Sequence, residues 1–250
     1  MKGIESSAAW GDGSGAARFE FAAKDAFTLV ELLITLAVIA ILAASLLPSL
    51  ATGRNRGRSA QCASNLRQWG LAFLLYAEDN DDYLPRRGQG VQPLALITRS
   101  EDWFNALPPY FNLPPFGVLA TNTQEPKASS QSVFVCPTAR DAGGKYFLSY
   151  GMNMNLSPWN LPRATRFSEV AQPAYVVAMA DAPGAYSSTY PSARPYGAVA
   201  RHARRINLLF LAGQVQTLAG SCVGCGVGDP GRADVRWLTG TASDAQAPNY

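Results

Sequence analysis

The residues able to do chemistry are few and widely spaced. Glu31 is the one carboxylate in the otherwise apolar run 27–50, FTLVELLITLAVIAILAASLLPSL, and no charged residue lies in 32–47. His202 is the only histidine. A catalytic role for it would need a nucleophile or metal partner, and the chain has no Gly-x-Ser-x-Gly, no HExxH and no second histidine to provide one. A structural or polar-surface role is expected, with Asp181 able to approach as a hydrogen-bonded partner rather than as half of an acid–base pair. Cys222-Val-Gly-Cys225 has the spacing of a redox pair or of half a zinc site. Zinc would need a second pair at similar spacing, and Cys62 and Cys136 stand far apart in the chain. A redox pair would open a helix after a strand, whereas Gly220, Gly224, Gly226 and Gly228 make this stretch a loop. A disulfide stapling that loop is the expectation. Glu78-Asp79-Asn80-Asp81-Asp82 lacks calcium-loop spacing and is expected to be a solvated acidic turn. No metal, no cofactor and no enzymatic activity is expected.

The element that positions Glu31 is a helix apolar on every face, which must be buried in lipid or among other helices. The stretch 27–47 is long enough to cross a bilayer core of roughly 30 Å at about 1.5 Å per residue. An ionised carboxylate inside such a span costs on the order of 2.5–3.5 kcal/mol on insertion scales. Glu31 therefore either snorkels from near the end of the span or pairs with a positive group at the same depth on a neighbouring subunit. Beyond the span, Pro48 is expected to kink or melt the helix, and Gly53 and Gly57 to loosen it. Leu66, Trp69, Phe73 and Tyr76 then recur at helical spacing as one apolar stripe, with Gln61, Asn65, Arg67 and Gln68 on other faces.

Removing the first 80 residues, which include the span, from 250 leaves 170 for one head domain. Lys plus Arg, at 21, barely exceed Asp plus Glu, at 18, too mild a balance to imply nucleic acid. Residues 101–118 combine five aromatics with four prolines and predict a short helix and a rigid turn packed under the head. Residues 133–137 predict a short β-type run stopped by Pro137, and 146–152, 175–179, 206–211 and 215–218 predict further strands. With no long helices between them these strands predict an antiparallel sheet, one face on the helix stripe and the other toward solvent. In the Gly-rich tail, Val235, Trp237 and Leu238 are the group expected to tie the chain back down.

Lys24-Asp25-Ala26-Phe27-Thr28-Leu29-Val30-Glu31-Leu32-Leu33 resembles the processing site of type IV prepilins and type II secretion pseudopilins. The resemblance implies that a prepilin peptidase cuts between Ala26 and Phe27, where the family usually has Gly before the cut, and methylates the new amine. It implies also that Glu31 neutralises the amine of an adjacent subunit during filament assembly. Further along, Cys62-x-x-Asn65-Leu66-Arg67-Gln68, Phe134-x-Cys136-Pro137, Ser149-Tyr150-Gly151-Met152-Asn153 and Arg201-His202 through Gly213 resemble a large pilin-like subfamily. Its C-terminal signature is His, nine residues, then Asp-Gly; here His202 leads to Ala212-Gly213, and Gly213 still accepts the positive φ of a hairpin turn.

The fold expected is α+β and pilin-like: a long N-terminal helix, membrane-spanning in its first half, packed on a small antiparallel sheet. The organisation expected is a leader at 1–26, an assembly helix at 27–50, its second half at 51–80, and a head at 81–250. Cys62 on the helix and Cys136 at a strand end are expected to form a second disulfide, in keeping with an oxidising compartment. Arg18 and Lys24 before the span against Arg54, Arg56, Arg58 and Arg67 after it would alone place the head in the cytoplasm. The processing motif and the cysteines favour a bacterial inner-membrane protein with a periplasmic or extracellular head. The expected function is a structural subunit of a secretion or pilus-like filament. Its expected partners are other pilin subunits, the prepilin peptidase, the inner-membrane assembly platform and the lipid bilayer. The rival is a single-span anchored binding or thiol-redox domain that does not polymerise.

Overall fold

A computed structural model describes residues 28–89, 94–128, 130–141, 143–157, 163–189, 197–223 and 232–240. One helix, α1 (Leu29–Asp79), crosses the boundary between two compact units, which falls between Ser49 and Leu50. In the first unit the described residues, 28–49, are all exposed, and the helix is apolar on every side. Among the described residues α1 is the one helix long and apolar enough to cross a membrane. The expected melting after the span does not occur: α1 runs unbroken through Pro48, Gly53 and Gly57. Proline at 48 removes a single donor, and one missing bond does not interrupt a 51-residue ladder.

The second unit is α+β, with the stripe on α1 packed into its core. Leu66, Trp69 and Phe73 are essentially inaccessible and Tyr76 is half-buried, as their spacing predicts, and Cys62 one turn earlier is inaccessible too. The acidic run ends the helix at Asp79, and Asp82 then accepts hydrogen bonds from the Ser168 backbone, at 2.9 Å, and hydroxyl. Residues 101–118 supply α2 (Trp103–Ala106), a 3-10 turn (Pro108–Phe111) and the start of α3 (Phe116–Thr121). Trp69 is the hub of an edge-to-face aromatic network, with ring centroids 5.1 Å from Trp103, 5.0 Å from Phe111 and 5.2 Å from Phe134.

The sheet has five strands: β1 (Leu148–Asn153), β2 (Val177–Gly184), β3 (Ser188–Thr189), β4 (Arg205–Phe210) and β5 (Val215–Ala219), in the order β3-β1-β2-β4-β5. It is mixed rather than wholly antiparallel, because the two-residue edge strand β3 runs parallel to β1. Gly184 makes that return possible. Its φ is +109°, and a Cβ there would sit 2.7 Å from both the Arg140 carbonyl oxygen and the Phe147 ring. Gly213 closes the β4–β5 hairpin at φ +92°, with its N–H donating to the Phe210 carbonyl at 2.8 Å.

Two sequence expectations fail here for identifiable reasons. The second sheet face does not meet solvent, because Ile206, Leu208 and Phe210 on it are covered by Val223, Val235 and Trp237. Leu208-Leu209-Phe210-Leu211 is a continuous apolar run, the pattern of a strand buried on both faces. The tail is thus tied down by Val235 and Trp237, while Leu238 stays exposed.

Residues 133–137 form no strand, and the reason lies on α1. Asn65, placed by its spacing on an outer face, is buried instead, and its Nδ2 donates to the carbonyls of Ser132 at 3.2 Å and Val135 at 3.1 Å. Trp69 Nε1 donates to the Val133 carbonyl at 3.0 Å. Helix side chains thus satisfy the carbonyls of 132, 133 and 135, and β1 contributes one backbone bond, Ser149 N–H to the Phe134 carbonyl at 3.2 Å. Asn65→Ala strips the buried Val135 carbonyl of this partner, while the Ser132 carbonyl keeps the Val135 N–H, so it is expected to lower stability by about 1–3 kcal/mol. A thermal melt indistinguishable from wild type would refute that role.

Candidate functional site: a buried four-residue cluster and the first turn of the long helix

Four separate segments of the second unit deliver polar side chains to one buried point. Cys62 comes from the inward stripe of α1, one turn before Leu66. Cys136 is fixed by its own N–H, which donates to the Ser149 hydroxyl on β1. Asp181 lies in the middle of β2, and its Oδ2 accepts the Asn207 N–H of β4 at 3.2 Å. His202 sits on a two-residue hairpin turn, paired with Arg205 through both backbone bonds at 3.0 Å. The central residues of that turn, Ala203 and Arg204, have φ of 51° and 65°, a left-handed geometry costly for non-glycine residues.

The donor atoms of Cys62, Cys136, Asp181 and His202 all lie within 4.8 Å of one another, and all four residues are buried. Cys62 Sγ is 3.1 Å from Asp181 Oδ1, Cys136 Sγ is 3.4 Å from His202 Nε2, and the same Nε2 is 3.5 Å from Asp181 Oδ2. Arg201 Nε lies 3.4 Å from Asp181 Oδ1. Tyr150 places its hydroxyl 3.3 Å from Cys62 Sγ, and Thr138 Oγ1 lies 3.2 Å from Cys136 Sγ and 3.4 Å from His202 Nδ1.

Burial pushes the Asp181 carboxyl up to about 6, against the pull of Arg201. Burial likewise drives the Cys62 thiol far up, aided by the hydrogen bond to Cys136 and the charge of Asp181. For Cys136 burial acts in the same upward direction, but hydrogen bonds from Cys62, His202 and Thr138 outweigh it and hold this thiol low.

Cys62 and Cys136 are neighbours, as the expected disulfide requires, and no bond joins their sulfurs in the structure. His202 meets Asp181, as expected, but is buried rather than at the surface. The arrangement is not a Cys–His–Asp relay, since a relay uses both ring nitrogens. Here Cys136 and Asp181 converge on Nε2 alone, while Nδ1 faces the Thr138 hydroxyl. Four convergent donors around one point have the chemistry to hold a metal ion. Cysteine spacing could not reveal the cluster, because two of its four members are an aspartate and a histidine from other elements.

At the start of α1 the geometry is local. Thr28 donates its N–H and its hydroxyl to Glu31 Oε2, both at 2.8 Å, and the Glu31 N–H donates to Thr28 Oγ1 at 3.2 Å. This reciprocal pair is a capping box, legible in Thr28-Leu29-Val30-Glu31 but not singled out above. The acid thus occupies the first turn of a helix with no other charge among residues 29–53.

Residues 22–47 match the model for the prokaryotic N-terminal methylation motif. The chain carries a prepilin-type leader. No curated protein and no solved structure shows significant similarity to the chain. The prepilin-type motif and the apolar first half of α1 fit a membrane-anchored, single-pass protein. The expected cut site, Ala26 and Phe27, falls inside the matched stretch but outside the described residues. Cys225 and the side chain of Cys222 also lie outside them. Glu31 and Pro48 are far in sequence from the head cluster, and Gly213 serves the β4–β5 turn rather than either site.

Proposed function

We propose that this chain is a pilin-like or pseudopilin subunit that works by assembling into a filament. The observation that carries the reading is the methylation motif placed on the first half of α1, which is apolar on every side and carries one acid, Glu31, in its first turn. Prepilin peptidase cuts between Ala26 and Phe27 and methylates the new amine. The helix then stays in the bacterial inner membrane with the head on the periplasmic or extracellular side. During assembly, driven from the inner-membrane platform, apolar contacts between subunit helices replace lipid contacts. Glu31 meets the amine of a neighbouring subunit and so makes axial register specific. The role is structural, and no catalytic step is assigned to the chain.

The test is mass spectrometry of the N-terminus after expression in a host with the peptidase. A mature chain beginning at N-methylated Phe27 is expected, and an intact Met1 would overturn the reading. A thiol-redox role for Cys62 and Cys136 is less supported, because both are 0% exposed and beyond the reach of a thiol in solution.

A further inference from the structure

We propose that Cys62, Cys136, Asp181 and His202 bind one zinc ion tetrahedrally, pinning the second half of α1 to the sheet where the sequence pointed to a disulfide. Zinc takes sulfur ligands at about 2.3 Å and nitrogen or oxygen ligands at about 2.0–2.2 Å, so the edges of its tetrahedron run about 3.3–3.8 Å. Cys62 Sγ to Asp181 Oδ1, at 3.1 Å, and Cys136 Sγ to His202 Nε2, at 3.4 Å, lie close to those edges, the other Asp181 oxygen is 3.5 Å from the same Nε2, and one ligand atom from each of the four residues lies within 4.8 Å of the others.

The surroundings are those a metal-bound set requires. One ring nitrogen of His202 points at the shared centre, and the other faces the Thr138 hydroxyl, the kind of outer partner that orients a ligating imidazole. Asp181 is held by the Asn207 N–H, and Cys62 by the Tyr150 hydroxyl. Charge also balances. Two thiolates and a carboxylate around a divalent ion leave one negative charge, and the Arg201 guanidinium beside Asp181 offsets it. A cleft of about 590 Å³ reaches two of the cluster's outer partners, Thr138 and Arg201. Four protein ligands leave no open coordination position, so the ion is structural, not catalytic. It joins α1, the segment around Cys136, β2 and the turn before β4, none of which is held to the others by a disulfide among the described residues.

The experiment uses the full chain, purified in detergent without chelator. About one zinc per chain is expected, with Cys62 and Cys136 recovered as free thiols in a non-reducing peptide map. After the zinc is stripped, cobalt is expected to give visible ligand-field bands and a sulfur-to-cobalt charge-transfer band. Both are expected to persist in the Cys222→Ser/Cys225→Ser double variant and to vanish in Cys62→Ala/Cys136→Ala. Thr138→Val, which leaves all four ligands in place, is expected to weaken zinc binding about 10–100-fold in a chelator competition. Three results would each overturn the proposal: a linked Cys62–Cys136 peptide, a folded and reduced chain that takes up neither metal, or loss of the cobalt signal in the Cys222/Cys225 variant. None of these readouts depends on filament assembly.

Discussion

Glu31→Gln is expected to leave α1 capped and anchored and yet to stop the chain from entering filaments. The amide keeps an oxygen that can accept from Thr28 N–H, so the capping box survives and expression and membrane insertion stay at wild-type levels. The negative charge is gone, and a neighbour's amine brought into the apolar helix packing then has no counter-charge. Leaving one member of a buried ion pair alone costs about 3–5 kcal/mol per subunit. Copurification with partner subunits is therefore expected to fall below detection. Thr28→Val is the control in the opposite sense: it removes the hydroxyl that shares the cap, costs about 1 kcal/mol of local helix stability, and leaves the charge in place. Assembly should survive it. If Glu31→Gln assembles normally while Glu31→Ala does not, the acid is a helix cap and nothing more, and the proposed register mechanism is wrong.

Trp69→Ala is expected to have the largest effect on the head. The indole is fully buried, meets three other rings edge to face, and donates to the Val133 carbonyl. Removing it opens a cavity at the junction of α1, α2 and the segment before Cys136 and leaves that carbonyl unpaired. The loss should be about 3–5 kcal/mol, which for a unit of this size lowers the melting temperature by roughly 6–20 °C. Trp69→Phe restores most of the apolar area but not the hydrogen bond, so it should fall between the two. Circular dichroism of the full chain in detergent reads both. A Trp69→Ala melt within about 2 °C of wild type would show that the head does not depend on this hub.

What the sequence determined by itself is whatever depends on local composition and period. The apolar span, its lone acid, the stripe from Leu66 to Phe73 on α1, the end of the helix at the acidic run, the positions of four strands and the positive φ of Gly213 are all of this kind. Each follows from neighbours a few residues away, through helical or strand spacing or through a backbone angle. The tertiary structure alone decided the rest, because it depends on which distant groups meet. Asn65 looks like a surface residue until the carbonyls of 132 and 135 come to it, and 133–137 looks like a strand until α1 supplies its partners. The solvent face predicted for the sheet is closed by a tail that sequence spacing cannot place. Cys62 and Cys136 invite a disulfide only while Asp181 and His202 are out of view. Long-range contacts carry no periodic trace in the chain, so the cluster that joins helix, strand and turn becomes visible only when the fold brings its four members within a few ångströms.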